Sequence, residues 1–118
     1  MGEIIPGNRR SDLAADMFES AVRSRGDLAG FFEYEDNTGY FYLYEVHGED
    51  RGKVLEHIHI LSGPAPFEER DVAIGWNKSE NRVGLFIHGE LWAVFDTVTN
   101  KKFGGNYDPD GRPATPTR

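Results

Sequence analysis

Two histidines, His57 and His59, are the residues whose type and spacing come closest to a metal site. They lie two apart in the segment VLEHIHIL, which has the composition of a strand, and alternate residues of a strand project from the same face. Such a pair can supply two ligands to Zn²⁺, Mn²⁺ or Fe²⁺ if a neighbouring strand adds a third. The candidates for that third ligand are His88 and Glu90, and His47 is less well placed.

A simpler interpretation fits the same two histidines. Ile58 and Ile60 would face the core and leave both imidazoles on a half-exposed outer face, where histidine is common without a ligand role. Two histidines without the rest of a motif do not specify a metal. The sequence therefore predicts no metal and no cofactor.

Carboxylates form the second group of candidates. Glu33, Glu35 and Asp36 lie on or beside predicted strands, and a pair of carboxylates can carry out acid–base chemistry. Asp96 stands before Thr97 at the end of another predicted strand, a position more typical of a turn. The chain has no cysteine, no serine in a nucleophile elbow and no phosphate-binding glycine motif. No catalytic residue is predicted, and binding is favoured over enzymatic activity.

Length and charge set the class of protein. The chain has 118 residues, which is enough for one domain. Twenty acidic side chains against 13 basic ones give a net charge of −7, which repels nucleic acids and suits a basic protein partner. The longest apolar runs, VGLFI and LWAVF, are too short to span a membrane, and the first residues lack the apolar stretch of a signal peptide. A soluble, cytoplasmic protein is expected.

Six segments have the composition and spacing of strands. They are AGFFEYE, YFYLYEV, VLEHIHIL, VAIGW, RVGLFIH and ELWAVFD. Six strands at regular spacing predict a mostly β fold, either an antiparallel β sandwich or a small barrel.

The two ends of the chain are less regular. Residues 1–11 are expected to be a flexible lead-in, and residues 12–103 a single β-rich domain. Residues 12–25 fit either a short helix that begins near Ser11 or Asp12, or an edge strand over MFESAV. Residues 104–118 are rich in glycine and proline and are predicted to form a disordered tail.

Two tryptophans raise the question of what covers each sheet face. Trp76 shares a predicted strand face with Ile74 and is expected in the core or at its margin. Trp92 alternates with Ala93, which places it beside Val94 on the opposite face. A second sheet, a second copy of the chain or a ligand would then cover that face.

The first hairpin places a set of tyrosines and carboxylates on one face. If DNTG makes a two- or four-residue connection, odd positions of the first strand lie opposite even positions of the second. The more apolar face is then core: Phe32, Tyr34, Phe41 and Leu43. The outer face combines Phe31 with the candidate partner-binding residues, which are Glu33, Glu35, Tyr40, Tyr42 and Tyr44. A three- or five-residue loop would exchange the inner and the outer set. The alternative to partner binding is that the tyrosines only cover their own sheet.

The strings FFEYEDNTGYFYLYEV, EHIHIL and LFIHGELWAVFDT resemble a bacterial family, domain of unknown function 2251. The resemblance covers about residues 30–103 and is carried best by Thr38 to Tyr42, followed by His59, Trp76, Gly89, Ala93, Phe95 and Asp96. The chain departs from the family pattern in EYEDN, where the family is closer to EDDGE, and at Ile60 and Leu61, where it has Tyr and Asn. The resemblance implies a bacterial origin and no particular activity.

These observations favour a non-enzymatic binding or protein-interaction domain, of which an immunity-type inhibitor is one form. The alternative is a small-ligand or metal-binding β barrel, with or without enzymatic activity, that uses His57 and His59. A homo-oligomer whose role lies in assembly alone is the third hypothesis, and a homodimer is one such assembly.

Overall fold

A computed structural model describes residues 15–46 and 52–107 of the chain. The described residues form eight β-strands and one short 3-10 helix, Glu69–Asp71. The strands are β1 Met17–Val22, β2 Leu28–Glu35, β3 Thr38–Glu45, β4 Lys53–Ser62, β5 Val72–Trp76, β6 Arg82–Ile87, β7 Glu90–Asp96 and β8 Lys101–Gly104. No helix among these residues has the length and apolar character needed to cross a membrane.

The strands form two antiparallel sheets of four, in the orders β1-β2-β3-β4 and β5-β6-β7-β8. Each strand pairs with its neighbour in sequence, so each sheet is a meander, and the two sheets pack face to face. The six predicted strands are confirmed as β2 to β7, and the predicted sandwich is confirmed as well. The first sheet carries the candidate site.

The register of the first hairpin follows from a two-residue turn. Glu35 pairs with Thr38, and the two residues between them, Asp36 and Asn37, have positive φ angles of 54° and 61°. Positive φ at both positions is the type I′ geometry, which matches the twist of paired strands. The predicted core set is confirmed: Phe32, Tyr34, Phe41 and Leu43 are all buried.

The helix expected as one alternative for residues 12–25 is wrong, because Met17–Val22 is the edge strand β1. Its residues pair with β2 from Met17 opposite Tyr34 to Val22 opposite Ala29. This pairing satisfies the backbone groups of β2 that a helix would leave without partners. Alternation then buries Met17 and directs Phe18 outward.

The packed part of the chain continues beyond Phe103. Asp96 accepts the N–H groups of Val98 and Thr99 and so forms the turn from β7 into β8, which ends at Gly104. Three residues later Tyr107 forms a parallel bridge with Leu61 on the first sheet. The tail was expected to begin at Gly104, and its first four residues have these contacts. Residues 1–14, 47–51 and 108–118 lie outside the described part of the chain.

The prediction that Trp92 shares a face with Val94, opposite to Ala93, is wrong. A β-bulge between β6 and β7 places Leu85 opposite Ala93 but Phe86 opposite Leu91, so Trp92 is an extra residue. The bulge turns both Trp92 and Ala93 inward, and Trp92 is only 8% exposed. Trp76 packs at the core margin as expected, and its Nε1–H donates to the carbonyl of Ala21.

Aromatic contacts join the two sheets at their centre. The ring centroids of Phe41 and Phe95 lie 5.0 Å apart, and Phe67, from the connection between the sheets, packs on Trp92 at 5.6 Å. Tyr34 is fully buried, and burial raises the pKa of its hydroxyl. That hydroxyl donates to the carbonyl of Gly63 and accepts the N–H of Ala65, so its burial leaves no polar group unsatisfied.

Candidate binding face on the first sheet

The outer face of the first sheet carries a continuous set of rings from β1 to β4. We call this set the aromatic face, and its members are Phe18, Phe31, Tyr40, Tyr42, Tyr44, His57 and His59. Each ring contacts at least one other in the set, with centroid separations from 4.8 Å for Phe31 and Tyr42 to 5.9 Å for Tyr40 and Tyr42. The rings therefore support one another as a platform.

The pairing of the strands produces this platform. Tyr42 of β3 lies opposite Phe31 on one side and His57 on the other, so one row of the sheet is aromatic on three strands. Phe18 extends the face onto β1, where its ring lies 5.5 Å from Phe31 and its side chain is 53% exposed. The tyrosines and Phe31 are half-buried. Rings held in this way offer contact area with little loss of conformational entropy.

Carboxylates border the aromatic face along β2. Glu33 lies opposite Tyr40, and Glu35 follows it on the same face. Repulsion from Glu33 first, then from Asp16 and Asp36, raises the pKa of Glu35 above its ordinary value. Strands β1, β2 and β3 contain no lysine or arginine. We call Asp16, Glu33, Glu35 and Asp36 the acidic margin.

The acidic margin also acts on the tyrosines. Burial first, and then the charge of Glu33, raises the pKa of Tyr42.

A shallow groove of about 340 Å³ runs between Phe18 and the acidic margin. Glu69, which lies in the connection between the two sheets, also lines this groove. One carboxylate oxygen of Glu69 accepts the N–H of Phe18 at 2.9 Å. The groove is thus acidic on both walls and apolar at Phe18.

Glu33→Gln is expected to raise the urea midpoint of unfolding at neutral pH. The raised pKa of Glu35 means that the folded chain binds this proton more tightly than the unfolded chain does, so stability is lost as pH rises through the folded pKa. Removing the charge of Glu33 removes the largest part of this repulsion at neutral pH. At about pH 3 Glu35 is protonated in the folded and the unfolded chain alike, so the difference in urea midpoint between variant and wild type should vanish. Urea unfolding at the two pH values measures it. Glu90→Gln on the second sheet is the control, and an equal rise there would contradict the local repulsion.

The histidine pair lies on the aromatic face. Ile58 and Ile60 are buried, as the simpler interpretation expected, and His57 and His59 project outward beside Tyr40. Both ring nitrogens of His59 are engaged, Nδ1 with Asn106 Oδ1 at 2.8 Å and Nε2 with Ser62 Oγ at 2.9 Å. A metal on His59 would have to displace one of these hydrogen bonds.

The other candidate ligands are distant in the topology. His88 lies in the turn between β6 and β7 on the second sheet, where its Nε2 is 3.2 Å from the carboxylate of Asp71, and Glu90 opens β7. His47 lies outside the described residues. Within residues 15–46 and 52–107, no three His, Asp or Glu side chains are grouped so that they could hold a metal ion.

The structure brings all five candidate partner-binding residues to one face and adds others to them. Phe18 and Asp16 join the site only because β1 pairs with β2, and the alternation in MFESAV is the signal that identifies Phe18. Asp96, considered for acid–base chemistry, lies on the other sheet. Its carboxylate accepts backbone N–H groups and binds Arg82 at 3.0 Å, and together these lower its pKa.

Comparisons with known proteins agree with the resemblance. A family model described as an uncharacterized protein conserved in bacteria, DUF2251, matches residues 13–115. No curated protein and no solved structure matches the chain. Because the family model covers both sheets and most of the sequence, the chain belongs to this bacterial family, DUF2251.

Proposed function

We propose that the chain is a protein-binding domain that takes a basic partner on the aromatic face of its first sheet. The observation that carries the proposal is the row of mutually supported, half-exposed rings bordered by carboxylates that repel one another. Phe18 at the rim is 53% exposed, which is a cost for a surface that meets only water. A partner with arginine or lysine side chains would relieve the repulsion and stack on the rings.

The charges of the acidic margin support a basic partner in particular. Groups that destabilise their own fold are typical of sites that act on something else. An arginine placed between Glu33 and Tyr42 would combine an ion pair with a cation–π contact, for about 1–2 kcal/mol once water is excluded. An inhibitor that covers the active surface of a basic enzyme would be one form of this activity.

A peptide selection tests the proposal directly. A random displayed peptide library is selected on the immobilised chain, and the affinity of the most enriched peptide is then measured by calorimetry. We expect enriched peptides to carry an excess of arginine and lysine, and Glu33→Lys to weaken binding at least tenfold, or about 1.4 kcal/mol. Glu90→Lys changes the net charge equally on the other sheet and should bind like wild type.

Tyr42→Ala separates recognition from folding. Binding should fall while the thermal midpoint stays near that of wild type, because this ring is half-exposed and lies on the outer face. Enriched peptides without cationic excess would overturn the proposal, and so would equal losses in Glu33→Lys and Glu90→Lys. A large fall in the thermal midpoint of Tyr42→Ala would assign the ring to the fold instead.

A further inference from the structure

A second groove lies on the outer face of the first sheet, on the other side of Phe18 from the acidic margin. Its volume is about 370 Å³, and its walls include Phe18, Ser20, Val22, Ala29, Phe31 and Tyr44. Apart from the hydroxyls of Ser20 and Tyr44, these side chains are apolar. We call this groove the apolar groove, and we call the groove between Phe18 and the acidic margin the acidic groove.

The small side chain of Ser20 creates the apolar groove. On the outer side of β1, Ser20 stands between Phe18 and Val22, which are each 53% exposed. Ser20 lies opposite Phe31 of β2, whose ring centroid is 5.5 Å from that of Phe18 and 5.4 Å from that of Tyr44. The groove therefore has room for one large apolar side chain against rings that are already held in place.

Strand register places the two grooves in line along β1 and β2. Three rows of paired residues follow one another on the outer face: Val22 with Ala29, Ser20 with Phe31, and Phe18 with Glu33. Asp16 and Glu35 continue the face beyond the last of these rows, in the acidic groove. The face thus changes from apolar to acidic along the strands, and the exposed ring of Phe18 forms the border between the two grooves.

Glu69 disfavours the addition of a partner strand at the edge of this sheet. β1 is the edge strand, and the backbone N–H of Phe18 donates to Glu69. A strand added beside β1 would need this N–H for its own hydrogen bonds. A partner segment therefore lies across the face, where the two grooves recognise its side chains.

Charge complementarity decides which segment occupies the apolar groove. An acidic segment would be repelled by the acidic groove beyond Phe18, and a second copy would bring two acidic margins together in chains of net charge −7. A basic segment gains in both grooves. We therefore propose that the apolar groove receives a large apolar side chain from the basic partner, on the same segment that places a cation in the acidic groove. This inference rests on the proposed function and adds an order of residues to it.

The distance between the grooves sets the spacing of residues in the partner. The apolar groove is centred at Ser20 and the acidic groove near Met17, which is about 10 Å away along β1. In an extended segment, side chains on one side are about 7 Å apart at a spacing of two residues and about 13 Å apart at a spacing of four. The long side chains of arginine and lysine cover the difference. The partner motif is therefore a large apolar residue two or four positions from an arginine or lysine.

The enriched peptides from the displayed library test this motif. We expect a large apolar residue two or four positions from arginine or lysine more often than one or three positions away. Ser20→Trp fills the apolar groove and should weaken the most enriched peptide at least tenfold, with a thermal midpoint near that of wild type. Val98→Trp adds the same side chain at a position that is 69% exposed in the turn after β7, and should bind like wild type.

A second peptide, with alanine in place of the apolar residue, completes the test. It should bind wild type at least tenfold more weakly than the parent peptide, and it should bind Ser20→Trp about as well as the parent does, because the groove is already filled. Cationic peptides without the apolar residue, or equal binding by Ser20→Trp and wild type, would overturn this inference and leave the proposed function standing. Peptides without cationic excess would overturn both. Self-association of wild type in sedimentation velocity that is lost in Ser20→Trp would assign the groove to a second copy and overturn this inference as well.

Discussion

Tyr107→Ala is expected to lower the free energy of unfolding by about 3 kcal/mol, the lower end of the range for aromatic truncations, because the ring is only partly buried. The Tyr107 ring packs on Trp92 with a centroid separation of 4.5 Å, and its hydroxyl donates to the carbonyl of Trp92 at 2.5 Å. Its backbone N–H donates to the carbonyl of Ile60 on the first sheet. One residue therefore ties together β4 and β7, which belong to different sheets. Urea unfolding followed by tryptophan fluorescence measures the loss.

Two further variants provide reference values for the stability loss in Tyr107→Ala. Tyr107→Phe keeps the ring contact and loses only the hydroxyl bond, so about 1 kcal/mol is expected. Val98→Ala removes a side chain that is 69% exposed in the turn after β7, and should change stability by less than about 0.5 kcal/mol. If Tyr107→Ala unfolds like Val98→Ala, the contacts of Tyr107 do not stabilise the fold.

Tyr107 also shows why the end of the domain could not be predicted from composition. Residues 104–118 contain one aromatic residue among prolines and glycines, and that average indicates a segment without a core. Docking depends instead on particular partners. Asn106 bonds to the backbone and the ring of His59, and the next residue reaches Ile60 and Trp92. No local pattern in the sequence shows such distant partners.

The first hairpin could be predicted because its information is local. Alternation in AGFFEYE and YFYLYEV defines two faces, and a two-residue turn fixes which faces coincide. Asp36 and Asn37 tolerate the left-handed backbone that the turn requires. The five candidate residues on β2 and β3 therefore reached one face as expected.

Bulges limited the prediction elsewhere. An extra residue in one strand reverses the inside–outside alternation beyond it, and no residue type in ELWAVFD marks the bulge at Trp92. The same effect in β4 buries Ile60 and Leu61 in succession, because Gly39 lies opposite Leu61 while Tyr40 lies opposite His59. Alternation gave the correct strands there but not every side-chain direction.

The full extent of the candidate site depended on strand pairing. A helix over residues 12–25 would have left Phe18 without a place on the sheet and Asp16 away from Glu35. Only the pairing of β1 with β2 puts Phe18 opposite Glu33 and extends the aromatic face to four strands. The part of the site on β2 and β3 could therefore be predicted from the sequence, and so could the outward direction of His57 and His59 on β4. Phe18 and Asp16 joined the site only through the pairing of β1 with β2.

The two outer faces of the sandwich differ in chemistry. The outer face of the first sheet carries rings and carboxylates, whereas the outer face of the second sheet carries apolar side chains, among them Phe86, Leu91 and Phe103. A β sandwich can carry two such faces because the outer face of each sheet does not have to fit the other sheet. The inner faces must, in contrast, fit each other closely.

The two sheets approach each other closely at Gly30, and Gly30→Val is expected to lower the free energy of unfolding by about 3 kcal/mol. A Cβ atom at this position of β2 would lie only 2.7 Å from Val83 Cγ2 of β6, and 3.3 Å from Ile74 Cγ2 of β5. Val83 is fully buried, so its side chain has no free space to enter. The added methyl groups must therefore separate the sheets or force strained rotamers. Urea unfolding measures the effect.

Gly75→Val is the matched control, because it adds the same atoms to a strand of the other sheet. The nearest heavy atom to a Cβ at Gly75 is Phe86 Cε1 at 3.9 Å, an ordinary contact on the outer face. Valine favours strands and glycine weakens them, so this variant should be as stable as wild type or slightly more stable. An unchanged urea midpoint in Gly30→Val would show that the sheets can move apart at no cost. Equal losses in both variants would show that strand backbone, rather than the contact with Val83, sets the requirement for glycine.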